Sequence, residues 1–358
     1  MVLRGKELTV EEVARPVPGA NQVLAKVRAC GICGSDLHAA KYMDEMIATA
    51  DAARREAWYS TDANPGMVMG HEFVAEVVES GPGVEGWAAG TRVTSMPILL
   101  SPESPNGMQA IGYSTEFPGA YSEYILMSVP LLLKVPDHVT DTMAATTEPC
   151  AVGLHAVRES EIRPEQSALI MGAGPIGLMT LLWLKKEGVR YVAVSDYSPE
   201  RRALAQQLGA DDVFDPKAVD LAAALSSALS ATPGTPAGSS YGGGAIAAAP
   251  DVVFECVGVQ GTLQQAMELV QIRGKVVVVG VCMKEDEIRP MIGINKQLRL
   301  IFVLGYTGPE YAEALMSFSE GSIDTSPLVT RTIGIDELPA AFAALADPKD
   351  CKVVVVPR

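Results

Sequence analysis

Three short segments of the chain carry the residue types that bind a borderline-soft metal. They are CGICGSDLH at residues 30–38, GHE at residues 70–72 and TEP at residues 147–149. A catalytic zinc ion takes three protein ligands, drawn from thiolate, imidazole and carboxylate, and keeps a fourth position open for substrate. Cys33, His71 and Glu148 would supply one ligand of each kind. Glu72, directly after His71, could approach the metal or orient one of its ligands.

Two other interpretations of these cysteines stay open. Cys30 and Cys33 form a C-x-x-C pair, and redox pairs of this kind place a reactive thiol at the start of a helix. We expect neither cysteine at a helix start, and Cys30 is more simply explained by packing in a strand. Cys150, two residues after Glu148, could replace that carboxylate as a metal ligand.

A second set of residues has the spacing of a dinucleotide site. Gly172-Ala173-Gly174-Pro175-Ile176-Gly177 matches G-x-G-x-x-G, follows the apolar run SALIM and opens a segment of helical periodicity. The first glycine permits a tight turn, the second lets the backbone approach a pyrophosphate, and the third lets helix and strand pack closely. The N-terminus of the helix then offers free N–H groups and a partial positive charge to the phosphates.

Asp196 indicates which dinucleotide the site prefers. It ends the next apolar strand, about 20 residues after the glycines, where a carboxylate can bind ribose hydroxyls and would repel a 2′-phosphate. The sequence therefore predicts NAD rather than NADP, although Arg201 could hold an additional phosphate. We also assign Val257, Val279 and Val281 to the cofactor-binding surface, with the last two near the nicotinamide.

The hydrophobic pattern divides the chain into two kinds of structure. Before about residue 150, largely alternating runs at 22–28, 72–80 and 119–127 predict strands separated by Gly and Pro. From residue 167 to residue 281, apolar strands alternate with helical stretches, which predicts a parallel sheet covered on both faces. We expect an α/β fold in which a doubly wound parallel-sheet domain, residues 151–295, is inserted into a β-rich domain formed by residues 1–150 and 296–358.

Composition excludes several classes of protein. The net charge of −15 would repel a phosphate backbone, which argues against a nucleic-acid partner. No apolar run has the roughly 18 residues that a transmembrane helix needs, and charges interrupt the N-terminal segment where a signal peptide would be apolar. The six cysteines fit a reducing compartment. We therefore expect a cytoplasmic protein with no membrane partner.

In their order along the chain, these motifs resemble the zinc-containing medium-chain alcohol, polyol and threonine dehydrogenases. The shared motifs are CGICGSDLH, GHE, GTRV, GAYSEY, EP and GAGPIG, followed by Asp196, and together they cover nearly the whole chain. The resemblance implies a GroES-like catalytic domain joined to a Rossmann domain. It also implies that Cys33, not Cys30, binds the catalytic zinc together with His71 and Glu148.

The same resemblance assigns roles in proton transfer. It implies that Ser35 is the hydroxyl that takes the proton of the alcohol. It implies that the proton then passes through the ribose of NAD to His38 and on towards solvent. We place Glu72 with these catalytic residues as well as with the metal site.

The chain departs from the family pattern in two segments. Many relatives carry four closely spaced cysteines after the GTRV strand, whereas residues 95–119 contain no cysteine. We therefore predict one catalytic zinc and no structural zinc. The second departure is the long segment 39–66, whose apolar residues include Met43, Met46 and Trp58. It is either a surface helix or a lid over the substrate that favours apolar or bulky alcohols.

These observations predict a zinc-dependent alcohol dehydrogenase that transfers hydride reversibly between a primary or secondary alcohol and NAD. Its partners are then a small alcohol or carbonyl substrate and copies of itself, in a homodimer or a homotetramer. One alternative is a zinc-free quinone or enone reductase of the same fold, which would lack the ligands Cys33, His71 and Glu148. The other is a non-catalytic nucleotide-binding protein, which would not need an intact proton relay.

Overall fold

The structure, a computed structural model, describes residues 1–53, 66–102, 107–233, 247–345 and 349–357. The chain divides into two compact units. One consists of Met1–Glu148 together with Gly308–Arg358, and the other is Pro149–Thr307. The two ends of the chain therefore build one unit, and the second unit is an insertion between them.

The N-terminal part of the first unit consists mainly of strands. Its elements are β1 (Val2–Arg4), β2 (Glu7–Thr9), β3 (Gln22–Gly31), α1 (Gly34–Ala52), β4 (Met67–Val68), β5 (Glu72–Ser80), β6 (Arg92–Thr94), β7 (Ile98–Leu100), β8 (Met108–Ala110), β9 (Tyr124–Ser128), β10 (Leu133–Lys134) and α2 (Asp141–Ala144). Helix α3 (Thr147–Ser160) then leads into the second unit. Helix α1 is interrupted at Tyr42, whose backbone angles are not helical.

The second unit alternates strands and helices. Its elements are β11 (Ser167–Met171), α4 (Pro175–Lys186), β12 (Tyr191–Ser195), α5 (Pro199–Gln207), β13 (Asp212–Phe214), α6 (Leu221–Ala231), β14 (Val252–Glu255), α7 (Thr262–Leu269), β15 (Lys275–Val278), α8 (Pro290–Lys296) and β16 (Arg299–Phe302). All six strands are parallel, in the order β13-β12-β11-β14-β15-β16. The order reverses between β11 and β14, and ligands of doubly wound sheets bind at the carboxyl ends of the strands at such a point.

The C-terminal part returns to the first unit. It contains α9 (Gly308–Ser319), β17 (Val329–Ile333), α10 (Leu338–Ala344) and β18 (Lys352–Val355). The main sheet has the order β10-β6-β5-β3-β18-β17, and β9 also pairs with β3. Because β18 runs antiparallel to β3, with Val354 opposite Gly31, the last strand lies beside the end of the strand that leads to Cys33. The buried core of this unit includes Phe73, Tyr121 and Val353.

The structure differs from the sequence-based expectation at three places. The second unit extends to Thr307, past the expected boundary at 295, because β16 pairs with β15 in the parallel sheet. The strand expected at 119–127 begins only at Tyr124. We expected no helix to start at the C-x-x-C pair, but residues 34–38 form the first turns of α1.

Parts of two predicted segments lie outside the described residues. In the segment 39–66, residues 54–65 are not described, and these include Trp58. The described part belongs to α1, and its Met43 packs against the core of the first unit. For the segment 221–250, rich in Ala, Ser, Gly, Pro and Thr, the sequence predicts a helix followed by a surface loop. The helix is α6, and the loop falls mostly on residues 234–246, which are not described. Across the described residues, no helix is both long and apolar enough to cross a membrane.

Candidate functional site

The first unit brings a thiol, an imidazole and a carboxylate together. One ligand atom from each of Cys33, His71 and Glu72 lies within 4.8 Å of the other two. His71 and Glu72 are buried and Cys33 is partly buried. Sulfur, nitrogen and oxygen donors at this separation are the set that a catalytic zinc ion takes, so the residues present fit that metal.

The position of Cys33 follows from the junction between β3 and α1. β3 ends at Gly31, α1 begins at Gly34, and the Cys33 backbone N–H donates to Asp36 Oδ2 at 3.2 Å. The carboxylate of Asp36 is completely buried and also accepts a hydrogen bond from the Tyr121 hydroxyl at 2.5 Å. Burial raises the pKa of Asp36, but His71 and these hydrogen bonds lower it by more than burial raises it. The pKa of Asp36 therefore lies below its ordinary value. Asp36 is therefore a fixed anion beneath the site.

His71 is oriented by that anion. Its Nδ1 atom lies 3.2 Å from Asp36 Oδ1, which leaves Nε2 facing Ser35 and free to act as a metal ligand. The preceding residue, Gly70, has φ +96°, and a Cβ atom there would lie 2.7 Å from the Tyr121 backbone nitrogen. The glycine of the GHE motif is therefore needed for the chain to pass Tyr121 and present His71.

Glu72 has a partner at the other end of the chain. Both its carboxylate oxygens accept hydrogen bonds of 2.7 Å from Lys352 Nζ, which also donates to the Ile32 carbonyl at 2.9 Å. Burial lowers the pKa of Lys352, but Glu72 raises it more, so the pKa lies above its ordinary value. Gly31 leaves room for this arrangement, since a Cβ there would overlap the Glu72 carboxylate.

Glu148, the carboxylate ligand that the resemblance implies, does not join this cluster. It lies in the first turn of α3 and is partly buried, and the group of close metal-binding atoms among the described residues contains Glu72 instead. Glu148 as a ligand stays a prediction. The alternative ligand Cys150 is buried within α3, and burial raises the pKa of its thiol to about 12, which disfavours the thiolate that a metal needs.

Cys33 lies directly before a helix, contrary to the expectation for the C-x-x-C pair, because α1 begins at Gly34. Cys30, however, is completely buried in β3, and burial raises the pKa of its thiol well above the ordinary value. Both cysteines are free thiols in the structure. Cys30 therefore packs in the core of the first unit, as expected.

Ser35 lies directly beside the cluster. Its hydroxyl oxygen is 3.1 Å from Cys33 Sγ and 3.4 Å from His71 Nε2, and it accepts a hydrogen bond of 2.9 Å from the hydroxyl of Tyr113. His38 follows one turn later in α1 and is partly buried. Burial and the nearby Lys41 lower its pKa, so its neutral form, which can accept a proton, is favoured. Within the described part of the chain, no hydrogen bond joins Ser35 to His38.

The glycine motif of the second unit forms the turn that its sequence predicts. Gly172 has φ +93°, and a Cβ there would lie 2.9 Å from Val257 Cγ2. Gly174 is the N-cap of α4 and Pro175 its first residue, a position that suits proline because no N–H is needed there. A Cβ on Gly177 would overlap the Gly172 carbonyl oxygen, so glycine permits the close packing of helix and turn. Ile176 lies in the first turn of α4.

Asp196 follows β12 at the same edge of the sheet. Its Oδ2 accepts from the Ala173 N–H at 2.8 Å and its Oδ1 from the Ser198 N–H at 2.7 Å, so the carboxylate is held against the glycine turn. Arg201 lies in the first turn of α5, and its Nη1 would lie 3.8 Å from a Cβ on Gly174. The predicted carboxylate and the predicted cation thus lie on the same side of the turn.

Three valines complete this edge of the sheet. Val257 and Val281 are exposed, and they follow β14 and β15 respectively. The Val279 N–H donates to the Glu255 carbonyl, and the Glu255 carboxylate accepts from the N–H groups of Val257 and Gly258. The second unit therefore brings the predicted cofactor residues to the carboxyl ends of adjacent strands, where exposed apolar side chains can contact a flat ring.

Three side chains that hold the site together, those of Asp36, Tyr113 and Lys352, were not predicted from the sequence. Asp36 was visible in the motif but was given no role, Lys352 was read only as part of a strand, and Tyr113 lies in the cysteine-free segment. No local pattern marks the last two, because each acts across a long separation in sequence. The one sequence signal for Lys352 was a lysine at the start of the apolar run VVVV, inside a segment read as a strand.

Comparisons with known proteins agree with this combination of a doubly wound parallel sheet and a Cys-His-Glu cluster. A model described as the alcohol dehydrogenase GroES-like domain matches residues 19–137, and one described as a zinc-binding dehydrogenase matches residues 175–320. The chain is 33% identical to (R,R)-butanediol dehydrogenase of Bacillus subtilis (strain 168) over 361 residues, covering 99% of this chain and 97% of that protein. It is 28% identical to L-threonine 3-dehydrogenase of Rhizobium rhizogenes, covering 97% and 94% respectively.

A solved structure shows the same fold. A protein of Sinorhizobium meliloti 1021, described as a zinc-binding dehydrogenase and bound to NADP, superposes with a TM-score of 0.81 at 28% identity, over 99% of this chain and 97% of that one. Fold and site thus define an oxidoreductase with a GroES-like domain and a Rossmann domain, which confirms the predicted fold class. The chain belongs to the zinc-containing medium-chain dehydrogenase family.

Proposed function

We propose that this dehydrogenase contains one zinc ion per chain and oxidises an alcohol, or reduces the matching carbonyl, with NAD. The observation that carries the proposal is the approach of Cys33, His71 and Glu72 to within 4.8 Å, directly beside the Ser35 hydroxyl. Cys33 and His71 would hold the metal with one carboxylate. The position of Glu72 supports Glu72 for that role, and Glu148 remains the ligand implied by the family resemblance.

The cofactors would supply chemistry that no side chain provides. Zinc, when bound, is a Lewis acid that favours ionisation of an alcohol hydroxyl, and NAD accepts a hydride. The chain's own residues would orient the substrate and move its proton. Ser35 would accept the hydroxyl proton of the alcohol, and His38, whose neutral form is favoured, would receive the proton before it reaches solvent.

The proposal is tested by metal analysis together with a screen of substrates. The purified protein should hold about one equivalent of zinc, since residues 95–119 contain no cysteine for a second site. A panel of primary, secondary and aromatic alcohols, with 2,3-butanediol and L-threonine included because of the relatives, should show reduction of NAD with at least one compound. Removal of zinc by a chelator should abolish that activity, and zinc should restore it. Activity that survives complete removal of metal would favour a zinc-free reductase.

The same panel of alcohols measures which size of substrate the protein prefers. A preference for bulky or apolar alcohols rested on Met43, Met46 and Trp58 as parts of a lid. Met43 packs against the core of the first unit, which supports a surface helix at that position. The lid stays a prediction, and Trp58, on which it partly rests, lies outside the described residues. A constant ratio of kcat/KM between a bulky and a small alcohol after Met43→Ala, Met46→Ala and Trp58→Ala would contradict it.

We predict that Asp196→Ser relaxes the preference for NAD. The carboxylate lies against the glycine turn, where it can accept hydrogen bonds from ribose hydroxyls and repel a 2′-phosphate. Loss of a charged acceptor costs about 1.5–3 kcal/mol, so the ratio of kcat/KM for NAD over NADP should fall by on the order of ten- to a hundredfold. Asp211→Asn, which changes a carboxylate paired with Lys185, is the control and should leave the ratio unchanged. Equal use of NAD and NADP by the unmodified protein would contradict the assignment.

We propose that the protein is a homo-oligomer that uses the open edge of the parallel sheet. β16 is the last strand of the sheet, and Phe302 and Leu304 at its end are 70% and 66% exposed. An edge strand with exposed large apolar side chains favours association with a second copy. The mass measured by sedimentation should therefore be that of a homodimer or of a homotetramer.

A further inference from the structure

Tyr113 belongs to residues 95–119, the segment that contains no cysteine, and this segment places it beside Ser35. β7 and β8 form a hairpin, with Ile98 opposite Ala110, and the Tyr113 N–H then donates to the Ala110 carbonyl at 3.3 Å. Gly112 has φ +91°, and a Cβ there would lie 2.7 Å from the Gly70 carbonyl oxygen. The segment therefore packs directly against the turn that presents His71.

The aromatic ring of Tyr113 is also fixed. Its centroid lies 5.3 Å from that of the His71 imidazole, with 33° between the two planes. On the C-terminal side of Tyr113, the Ser114 hydroxyl accepts hydrogen bonds from the N–H groups of Glu116 and Phe117 and closes a turn. Packing against His71 and the backbone on both sides of Tyr113 therefore orient the phenol independently of its contact with Ser35.

The hydroxyl of Tyr113 has two acceptors within reach, and geometry favours one. It lies 2.9 Å from Ser35 Oγ and 3.4 Å from Asp36 Oδ1. The longer distance is close to the limit of a hydrogen bond. Asp36 already accepts from Tyr121 and from the Cys33 N–H, and its Oδ1 faces His71. Ser35 is therefore the main acceptor of the Tyr113 proton.

We infer that Tyr113 is a positioning residue for proton transfer, which holds the Ser35 hydroxyl in the orientation that accepts the proton of the alcohol. The inference rests on the proposed dehydrogenase function. Among the described residues, three groups contact Ser35 Oγ. Cys33 and His71 would be committed to the metal, which leaves Tyr113 as the donor in this set. By occupying one lone pair of Ser35 Oγ, it directs the other lone pair to the substrate.

The proton balance of this step leaves Tyr113 unchanged. The O–H bond of the alcohol breaks and its electron pair stays on the alcohol oxygen, while a new O–H bond forms on Ser35 Oγ. The O–H bond that Ser35 carried breaks, its electron pair stays on Ser35 Oγ, and its proton leaves in the direction of solvent, where His38 would receive it. Negative charge that develops on Ser35 Oγ during this exchange is stabilised by the Tyr113 hydroxyl, which donates throughout and transfers no proton. A donor aimed at developing charge lowers the energy of the transition state more than that of the bound substrate.

A double-mutant cycle between Tyr113 and Ser35 tests the inference. Tyr113→Phe keeps the ring against His71 and removes only the hydroxyl, so kcat and kcat/KM should both fall about three- to tenfold, the size of one lost hydrogen bond. In a Ser35→Ala background, Tyr113→Phe should change neither constant by more than about 1.5-fold, because the acceptor is gone. Zinc content should stay at the unmodified level in both variants. Tyr124→Phe, in β9 of the same unit, is the matched control and should leave the kinetics unchanged.

The outcomes separate this inference from the proposed function. Equal effects of Tyr113→Phe in the two backgrounds, or no effect in the unmodified background, would overturn the positioning role while the dehydrogenase assignment stands. A rise in KM with kcat unchanged in Tyr113→Phe would show that Tyr113 only binds substrate. This outcome can be read from the single variant, without measurements on Ser35→Ala. A zinc-loaded unmodified chain that oxidises no alcohol in the panel would overturn both.

Discussion

Cys33→Ala and His71→Ala are expected to purify without zinc and to lose turnover by on the order of a thousandfold or more. Each variant removes one of the three close ligand atoms found among the described residues. Lewis acidity is worth several kcal/mol, and each 1.36 kcal/mol gives a factor of ten in rate. The cofactor residues belong to the other unit, so NADH should still bind, as measured by the fluorescence of the nucleotide. His71→Ala should also be the less stable variant, because it removes the imidazole beside the buried carboxylate of Asp36.

The chain contains a matched control for this experiment. Cys30→Ala changes the other cysteine of the same C-x-x-C pair, which is completely buried in β3 and lies outside the cluster. It should keep about one zinc and most of its activity and lose only about 1 kcal/mol of stability, the central value for single substitutions. If Cys33→Ala retained zinc while Cys30→Ala lost it, the assignment of the ligand would be reversed.

Features set by local spacing could be predicted from the sequence. The glycine turn, α4 and Asp196 lie close together in sequence, and the requirement for glycine at φ +93° is a property of the turn itself. The alternation of apolar strands and helices predicted the parallel sheet for the same reason. Cys33, His71 and Glu72 were selected by residue type, and the structure brings them together.

Features that depend on pairing across the chain could not be predicted in the same way. The expected boundary at 295 and the observed one at Thr307 differ because β16 has only four residues, and its pairing with β15 assigns it to the second unit. Both carboxylate oxygens of Glu72 contact Lys352, which lies 280 residues away in sequence. Tyr113 reaches Ser35 across 78 residues. Residue type identifies candidates, and tertiary contacts decide among them.

The buried pair of Glu72 and Lys352 should make a large contribution to stability that is visible when one partner is removed. Lys352→Met replaces the ammonium by an apolar group and leaves the carboxylate of Glu72, which is completely buried, without its cation. Removal of one partner of a buried ion pair costs about 3–5 kcal/mol, whereas replacement of both by groups of similar volume can be nearly neutral. We therefore expect Lys352→Met to lower the urea midpoint of the metal-free protein strongly, and Glu72→Gln with Lys352→Met to recover part of the loss.

The same variants test whether Lys352 also fixes the carboxylate for the metal. Lys185→Met is the control for the loss of a lysine, because its pair with Asp211 is partly exposed, and such pairs contribute about 0–1 kcal/mol. Zinc affinity, measured by competition with a chelator, should fall in Lys352→Met and in Glu72→Gln but stay unchanged in Lys185→Met. Since both oxygens of Glu72 are bonded to Lys352 at 2.7 Å, a metal that takes one oxygen still leaves the ammonium a bond to the other. If Lys352→Met unfolded at the urea concentration of the unmodified protein, the pair would not be a stabilising contact. If Lys352→Met kept the zinc affinity of the unmodified protein, Lys352 would not orient the carboxylate, and if Glu72→Gln kept it as well, Glu148 would become the better candidate for the carboxylate ligand.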